Sequence, residues 1–290
     1  MCIQRCGATF IPNNQSNEWK KALFQEYVFG KQTLKQLAGK YGKSERTIQK
    51  YLDQYQEEQP STQAPCSVVI GVDCTFFGRG NGIIVARSPG LKKNLYCKEV
   101  KTENRVVYEE ARRYLETAGF RIRAVVLDAK HGIREVFPDV IVQICQYHQQ
   151  KIVGRYLTAK PKTEAGQELK LIAGLLTKVN ESLLTEALKN WHERWSGFLK
   201  ERTYKPDGKH WWYTHRRIRS AYRSLMTNLP YLFSYQKYPE LNIPNTNNSL
   251  EGYFSKLKKL LNNHNGLKRW RRYRLTVAIL NQNSTNIYYH

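Results

Sequence analysis

The apolar positions of this chain change period several times, and each change marks an element. At the start the period is helical. Trp19, Ala22, Leu23, Tyr27 and Val28 fall on one stripe, which predicts a helix from Trp19 to Phe29 stopped by Gly30. Thr33 to Gln36 reads as a capping box opening a short helix, with Leu34, Leu37 and Ala38 inward. Tyr41-Gly42-Lys43 is a turn, and Ser44 caps a third helix, Glu45 to Tyr55, with Ile48, Tyr51 and Leu52 inward. Short helix, glycine turn and capped helix make a helix-turn-helix over residues 16–58. A plain three-helix bundle is the bland alternative. Polar residues and two prolines follow, and 59–66 reads as a linker.

Beyond the linker the period shortens. Val68-Val69-Ile70-Gly71-Val72 is a β-branched run that ends at Asp73. Strands are predicted over 67–73, 81–87 and 94–100, with a tight turn from Gly78 to Gly82. An amphipathic helix from Glu103 to Ala118 closes at Gly119. A fourth strand, 122–128, also ends in an aspartate, Asp128. A short helix after Gly132 leads to a fifth strand at 139–145. Three strands in a meander followed by alternating helix and strand is the ribonuclease H-like order. In that order the first and fourth strands are neighbours, which would bring Asp73 and Asp128 together.

Residues 149–235 return to a helical period, with stripes at Leu169 to Val179 and at Leu183 to Trp195. A turn is read at Tyr204 to Lys209. Trp191 and Trp195 read as core. Arg216, Arg217, Arg219 and Arg223 lie among aromatic residues, a composition suited to phosphate contact with stacking. Asn- and Pro-rich turns over 236–250 lead into a helix carrying Glu251, and 266–281 form a last, basic helix. The expected fold is α/β: a ribonuclease H-like core with a mixed five-stranded sheet and helices. It is interrupted by an all-helical insertion (149–235) and preceded by an all-α helix-turn-helix. The core occupies 67–148 and 236–290.

Charge narrows the partners. The 290 residues hold 47 Lys and Arg against 24 Asp and Glu, a net charge of +23. So basic a chain with 41% apolar residues is a folded protein with a polyanionic partner. A structural RNA binder would share this charge. Outward Lys43, Arg46, Gln49 and Lys50 on the third helix suit a DNA groove. Lys256, Lys258, Lys259, Arg269, Arg271 and Arg272 suit phosphates. No apolar run is long enough to cross a membrane, and the first residues lack the apolar stretch of a signal peptide. A cytoplasmic, nucleoid-associated protein is expected. The six cysteines are scattered and read as free thiols. Cys2, Cys6 and the following Gly7 resemble one knuckle of a zinc ribbon. Four ligands are needed to close such a site, so residues 1–15 read as a metal-free remnant.

Two strand-end aspartates and a helix-borne glutamate are the ligands a two-metal phosphoryl-transfer site needs. Hard oxygen donors suit Mg²⁺ or Mn²⁺, two ions in all. Crowded carboxylates repel by about 4 kcal/mol per pair at 4 Å and an effective dielectric near 20, and the cations remove that cost. Cys145 and His148, three apart, read as a core thiol and a hydrogen-bonding imidazole near the site.

At these residues the chain resembles a DDE transposase of a bacterial insertion sequence, in the mutator-like branch. The likeness rests on Asp73-x-Thr75-x-Phe77, strand-end Asp128, Cys145-x-x-His148, the helical insertion and Asn247-Asn248-Ser249-Leu250-Glu251. It implies that Asp73, Asp128 and Glu251 are the metal-binding catalytic triad, supported by Thr75, Cys145 and His148. It also implies binding of element ends and target DNA, cleavage and strand transfer, and a homodimer or larger assembly on DNA. Ala129 stands where the family often has glycine. A nuclease on the same fold and a transposase-derived regulator without catalysis are the rival readings.

Overall fold

The computed structural model describes residues 13–55, 64–264 and 266–282. Cys2, Cys6 and most of the linker lie outside them. The chain divides into two compact units, Ala64–Gly252 and a second made of the residues before 64 together with those from Tyr253 onward.

The second unit begins with α1 (Asn13–Val28), α2 (Leu34–Tyr41) and α3 (Glu45–Gln54). The local chemistry matches the reading. Thr33 accepts from the Gln36 amide while the Gln36 side chain takes the Thr33 amide. Gly42 adopts φ 60°, a left-handed conformation that glycine enters without strain. Ser44 caps α3 through the Thr47 amide at 3.1 Å. Leu23, Val28, Leu37 and Ile48 are fully buried between these helices.

The larger unit holds β1 (Ser67–Phe76), β2 (Gly82–Ser88), β3 (Lys93–Val100), α4 (Arg105–Thr117), β4 (Arg121–Leu127) and β5 (Ile141–Ile144). The sheet order is β3-β2-β1-β4-β5, with β2 antiparallel to both its neighbours and β4 parallel to β1 and β5. This is the mixed five-stranded arrangement expected of a ribonuclease H-like core. β1 is three residues longer than its reading. Its parallel ladder to β4 stops at Gly71, but its antiparallel ladder to β2 runs on through Phe76. Asp73 is therefore inside the strand, past the last β4 pair.

The insertion contains α5 (Gln146–Leu157), α6 (Glu164–Gly174), α7 (Glu181–Lys200), β6 (Arg202–Tyr204), β7 (Trp211–Tyr213), α8 (Arg216–Leu232) and the single turn α9 (Ser234–Lys237). It is helical apart from the β6–β7 hairpin. Trp191 is buried and donates to the Ala165 carbonyl at 3.0 Å, while Trp195 is half-buried and donates to Glu168 at 2.7 Å. Buried glutamines fasten this block to the sheet. Gln143 of β5 and Gln146 of α5 both donate to the Leu232 carbonyl, at 2.9 and 3.0 Å. Gln149 accepts from Asn228 at 2.8 Å. Such groups are costly to bury unless paired, so each bond fixes the seating of α8.

Two helices remain, α10 (Asn248–Asn262) and α11 (Arg269–Gln282). α10 opens in the larger unit, and the boundary falls between Gly252 and Tyr253. Residues 253–290 thus group with the first three helices, whereas the sequence reading gave them to the core. The reason is tertiary. Arg271 forms a two-pronged pair with Asp53 at 2.9 and 2.7 Å, and Arg274 donates to the carbonyls of Asp53 and Tyr55. Those carbonyls belong to the open C-terminal end of α3, which favours cations. Arg271, expected on a phosphate-binding face, is thus engaged within its own unit.

Arg271→Ala should leave Asp53 half-buried without its charged partner, with Gln49 still donating to its carboxylate, and cost about 1–2 kcal/mol, between the values for exposed and buried pairs. A thermal melt checks it. An unchanged melting temperature together with a loss of DNA affinity would return Arg271 to a phosphate-contact role.

Candidate active site

Asp73 is only 8% exposed. One of its oxygens accepts from the Cys74 amide at 2.7 Å. Burial is the main reason its carboxyl is pushed up from an ordinary 3.8 to about 7. The Cys74 amide opposes this, and the negative charges of Asp128, Glu103 and Glu251 add to it in that order. Asp128 is half-buried just past the end of β4, accepting from the Ala129 amide at 2.6 Å. Both predicted aspartates therefore lie at the same end of neighbouring strands.

Glu251 reaches this end through the loop before α10. Gly71 has no side chain because Asn247 fills that space: a Cβ there would stand 2.3 Å from the Asn247 side-chain oxygen. The Asn247 amide donates to the Cys145 sulfur at 3.2 Å, and the Gln146 amide donates to the Asn245 carbonyl at 3.0 Å. Asn247 then accepts from the Glu251 amide at 3.0 Å, starting the helix. The Glu251 carboxylate lies 2.7 Å from His148 Nε2 and 3.3 Å from Lys151 Nζ, both on α5. His148 Nδ1 is buried without a hydrogen-bond partner. Thr75 is buried in β1 opposite Ile83. Asp73, Asp128, Glu251, Cys145 and His148 are thus drawn into one region of the larger unit.

The sequence reading missed two charged neighbours. Glu103, before α4, accepts from the Tyr108 hydroxyl at 2.8 Å and pairs with Lys130 at 3.1 Å. It raises the Asp73 carboxyl as Asp128 does. Lys151 is exposed and lies over the Tyr147 ring at 4.1 Å as well as beside Glu251. Neither stands in a motif. The Asn247 packing did leave a sign, since a glycine inside a strand marks close backbone approach.

Among the described residues, no three His, Cys, Asp or Glu side chains stand close enough to hold one metal ion together. Asp73 and Asp128 fit a hard divalent cation by donor chemistry and by the charge crowding that such an ion relieves. Glu251 fits by chemistry alone, because here its carboxylate is turned to His148 and Lys151. An open groove of about 470 Å³ borders the site, lined by Asp128, His148, Lys151, Gly154 and Arg155. Its cations make it a place for an anion beside a carboxylate.

Of the expected nucleic-acid contacts, Lys43, Arg46 and Lys50 are exposed around α3, and Gln49 is half-buried, donating to Asp53 at 3.1 Å. Arg216 and Arg223 are exposed on α8. Arg217 donates to the Arg155 carbonyl at 2.8 Å, and Arg219 to the Leu199 carbonyl at 2.7 Å. Lys256, Lys258 and Arg272 are half-buried, while Lys259 and Arg269 are exposed. No helix among the described residues is long and apolar enough to cross a membrane.

No family model matches the chain, and no curated protein matches it either. Among solved structures it is similar to the Drosophila P element transposase strand transfer complex. The identity is 13%, over 97% of this chain and 79% of that one, with a TM-score of 0.35. A likeness at that level carries no weight for this chain, whose reading rests on its own strand order and residues.

The raised Asp73 carboxyl has a consequence for stability without divalent cation. Between 3.8 and about 7 the folded chain keeps a proton that the unfolded chain has released, so stability falls as pH rises through that window. Asp73→Asn removes the buried charge. It should raise the melting temperature at pH near 8, with the gain shrinking toward pH about 4. An equal gain at both pH values would mean that charge burial is not the cause.

Proposed function

We propose that the chain is a DNA transposase of the mutator-like insertion-sequence class, cutting and joining DNA by metal-dependent phosphoryl transfer. The observation that carries the proposal is the convergence of Asp73 and Asp128 at one end of β1 and β4, within the field of Glu251 from α10. Asp73 and Asp128 would hold Mg²⁺ or Mn²⁺, with Glu251 completing the set once it leaves Lys151. The bound cations would activate a water or a 3′-hydroxyl and stabilise the leaving oxygen.

The chain's own residues supply the rest. Cys145 and Asn247 fix the start of α10, so Glu251 enters from a set direction. His148 holds its carboxylate by one oxygen. Lys151 and Arg155 present positive charge along the groove beside Asp128, where a phosphate of the substrate would lie. Lys43, Arg46 and Lys50 on and beside α3 would read the element ends, and Arg216 and Arg223 would contact the DNA backbone. The partner is DNA, and the working form is a homodimer or larger on it.

The pairing of Glu251 with His148 and Lys151, and the lack of a three-ligand cluster among the described residues, favour a second reading. This is a transposase-derived regulator that binds DNA and does not cut it.

One assay separates them. A labelled duplex carrying the element's end is incubated with the protein in Mg²⁺, Mn²⁺ or chelator. The transposase releases 3′ ends and joins them to target DNA only with metal. Asp73→Asn, Asp128→Asn and Glu251→Gln each bring this below detection while DNA affinity stays near that of the parent chain. Near-normal cleavage by any of the three removes that residue from the triad. Tight binding without cleavage under either metal leaves the regulator.

A further inference from the structure

The insertion carries a surface that the carboxylate site does not use. β6 and β7 pair through Arg202–Tyr213, Thr203–Trp212 and Tyr204–Trp211. Cross-strand partners share a face. Arg202, Tyr204, Trp211 and Tyr213 therefore stand on one side of the hairpin, and Thr203 and Trp212 on the other. Tyr204 is 56% exposed, Trp211 42% and Trp212 41%.

An isolated two-stranded hairpin is marginal in water. This one is braced at its base. The Thr214 amide donates to the Glu201 carbonyl at 3.0 Å, and the Thr203 and Thr214 hydroxyls are 2.9 Å apart. The Arg219 guanidinium lies 3.6 Å from the Tyr213 ring centre, and His215 stacks on Phe198 at 3.5 Å. None of this uses Tyr204 or Trp212. Trp211 has Arg202 3.9 Å above its ring and meets the edge of Tyr213. Tyr204 and Trp212 therefore do not brace the hairpin, and leaving the exposed rings in water forgoes the gain of burial.

Charge narrows what covers them. The carboxylates on the hairpin are already engaged, Asp207 with His210 and Glu201 with His215, each at 2.8 Å. Arg202, Lys205 and Lys209 are exposed, with no acidic partner among the described residues. The occupant must combine flat apolar faces with negative charge. An intact duplex offers phosphates but hides its base faces. Unpaired nucleotides offer both.

We propose that the hairpin is a two-faced stacking element for unpaired nucleotides. Trp211 on one face and Trp212 on the other each take a base, and Arg202, Lys205 and Lys209 hold the adjoining phosphates. The proposal needs neither the metal nor cleavage, so it stands or falls apart from the catalytic reading.

The test is a titration of the full chain, in chelator, with a short labelled oligothymidine and separately with a duplex of equal length. Trp211→Ala and Trp212→Ala should each weaken single-strand binding by about tenfold, and the double variant by more. Duplex affinity should stay within about twofold. Phe at either position should restore most of the loss, because a stacking face returns. The proposal is overturned if the double variant binds single strands within about twofold of the parent, or if single-strand and duplex affinity fall together. It is equally overturned if sedimentation shows that the parent self-associates, the double variant is a monomer and single-strand binding is unchanged. The hairpin would then be a contact between copies.

Discussion

The larger unit depends on a close approach between two pieces of chain far apart in sequence. Asn247 lies against the bare backbone of β1 at Gly71, where even one added carbon would collide with it. The same residue's amide is held by the Cys145 sulfur, where β5 passes into α5. One asparagine thus touches the strand that carries Asp73 and the start of the helix that carries His148 and Lys151. Its carbonyl then receives the Glu251 amide. The last carboxylate is placed by this packing on the sheet and by His148 and Lys151 of α5. The buried glutamines seat the insertion on the sheet through the buried C-terminal end of α8.

This arrangement puts like charges near each other in a poorly solvated place. A carboxylate pushed up to about 7 is a destabilising group at neutral pH, and no packing argument explains keeping it inside a β-strand. Lys151 eases the crowding around Glu251 from one side. Lys151 and His148 share that carboxylate, while Lys130 does the same for Glu103. Each acid near Asp73 other than Asp128 thus carries a basic neighbour that a stronger counter-charge could displace.

Much of the fold could be read from local pattern because local chemistry sets it. The capping box at Thr33, the serine cap at Ser44 and the strand runs before Asp73 and Asp128 all formed where the sequence put them. The misses share a different cause. β1 runs past Asp73 because β2 continues to pair with it, and pairing length is not written in one strand. Three-residue strands have no period to detect, so the hairpin read as a turn. Arg271 looked like a phosphate contact because its acidic partner, Asp53, is more than 200 residues away in sequence. At the candidate site, Asp73, Asp128 and Glu251 were legible as residues. The present pairing of Glu251 was not, since it depends on which face of α5 meets α10.

The surplus of positive charge is therefore not a count of DNA contacts. Arg274 closes the carbonyl end of α3, Arg217 and Arg219 donate to the carbonyls of Arg155 and Leu199, and Arg271 answers Asp53. A guanidinium with fixed, paired geometry gains little from exchanging its partner for a phosphate, because it must first give up bonds it already makes. The residues left to bind a polyanion are those without such partners, among them Lys43, Arg46, Lys50, Arg216 and Arg223. Counterion release follows phosphates actually neutralised, about one per contact. If the chain binds DNA as proposed, the salt dependence of that binding should track this smaller set, and the composition alone overstates it.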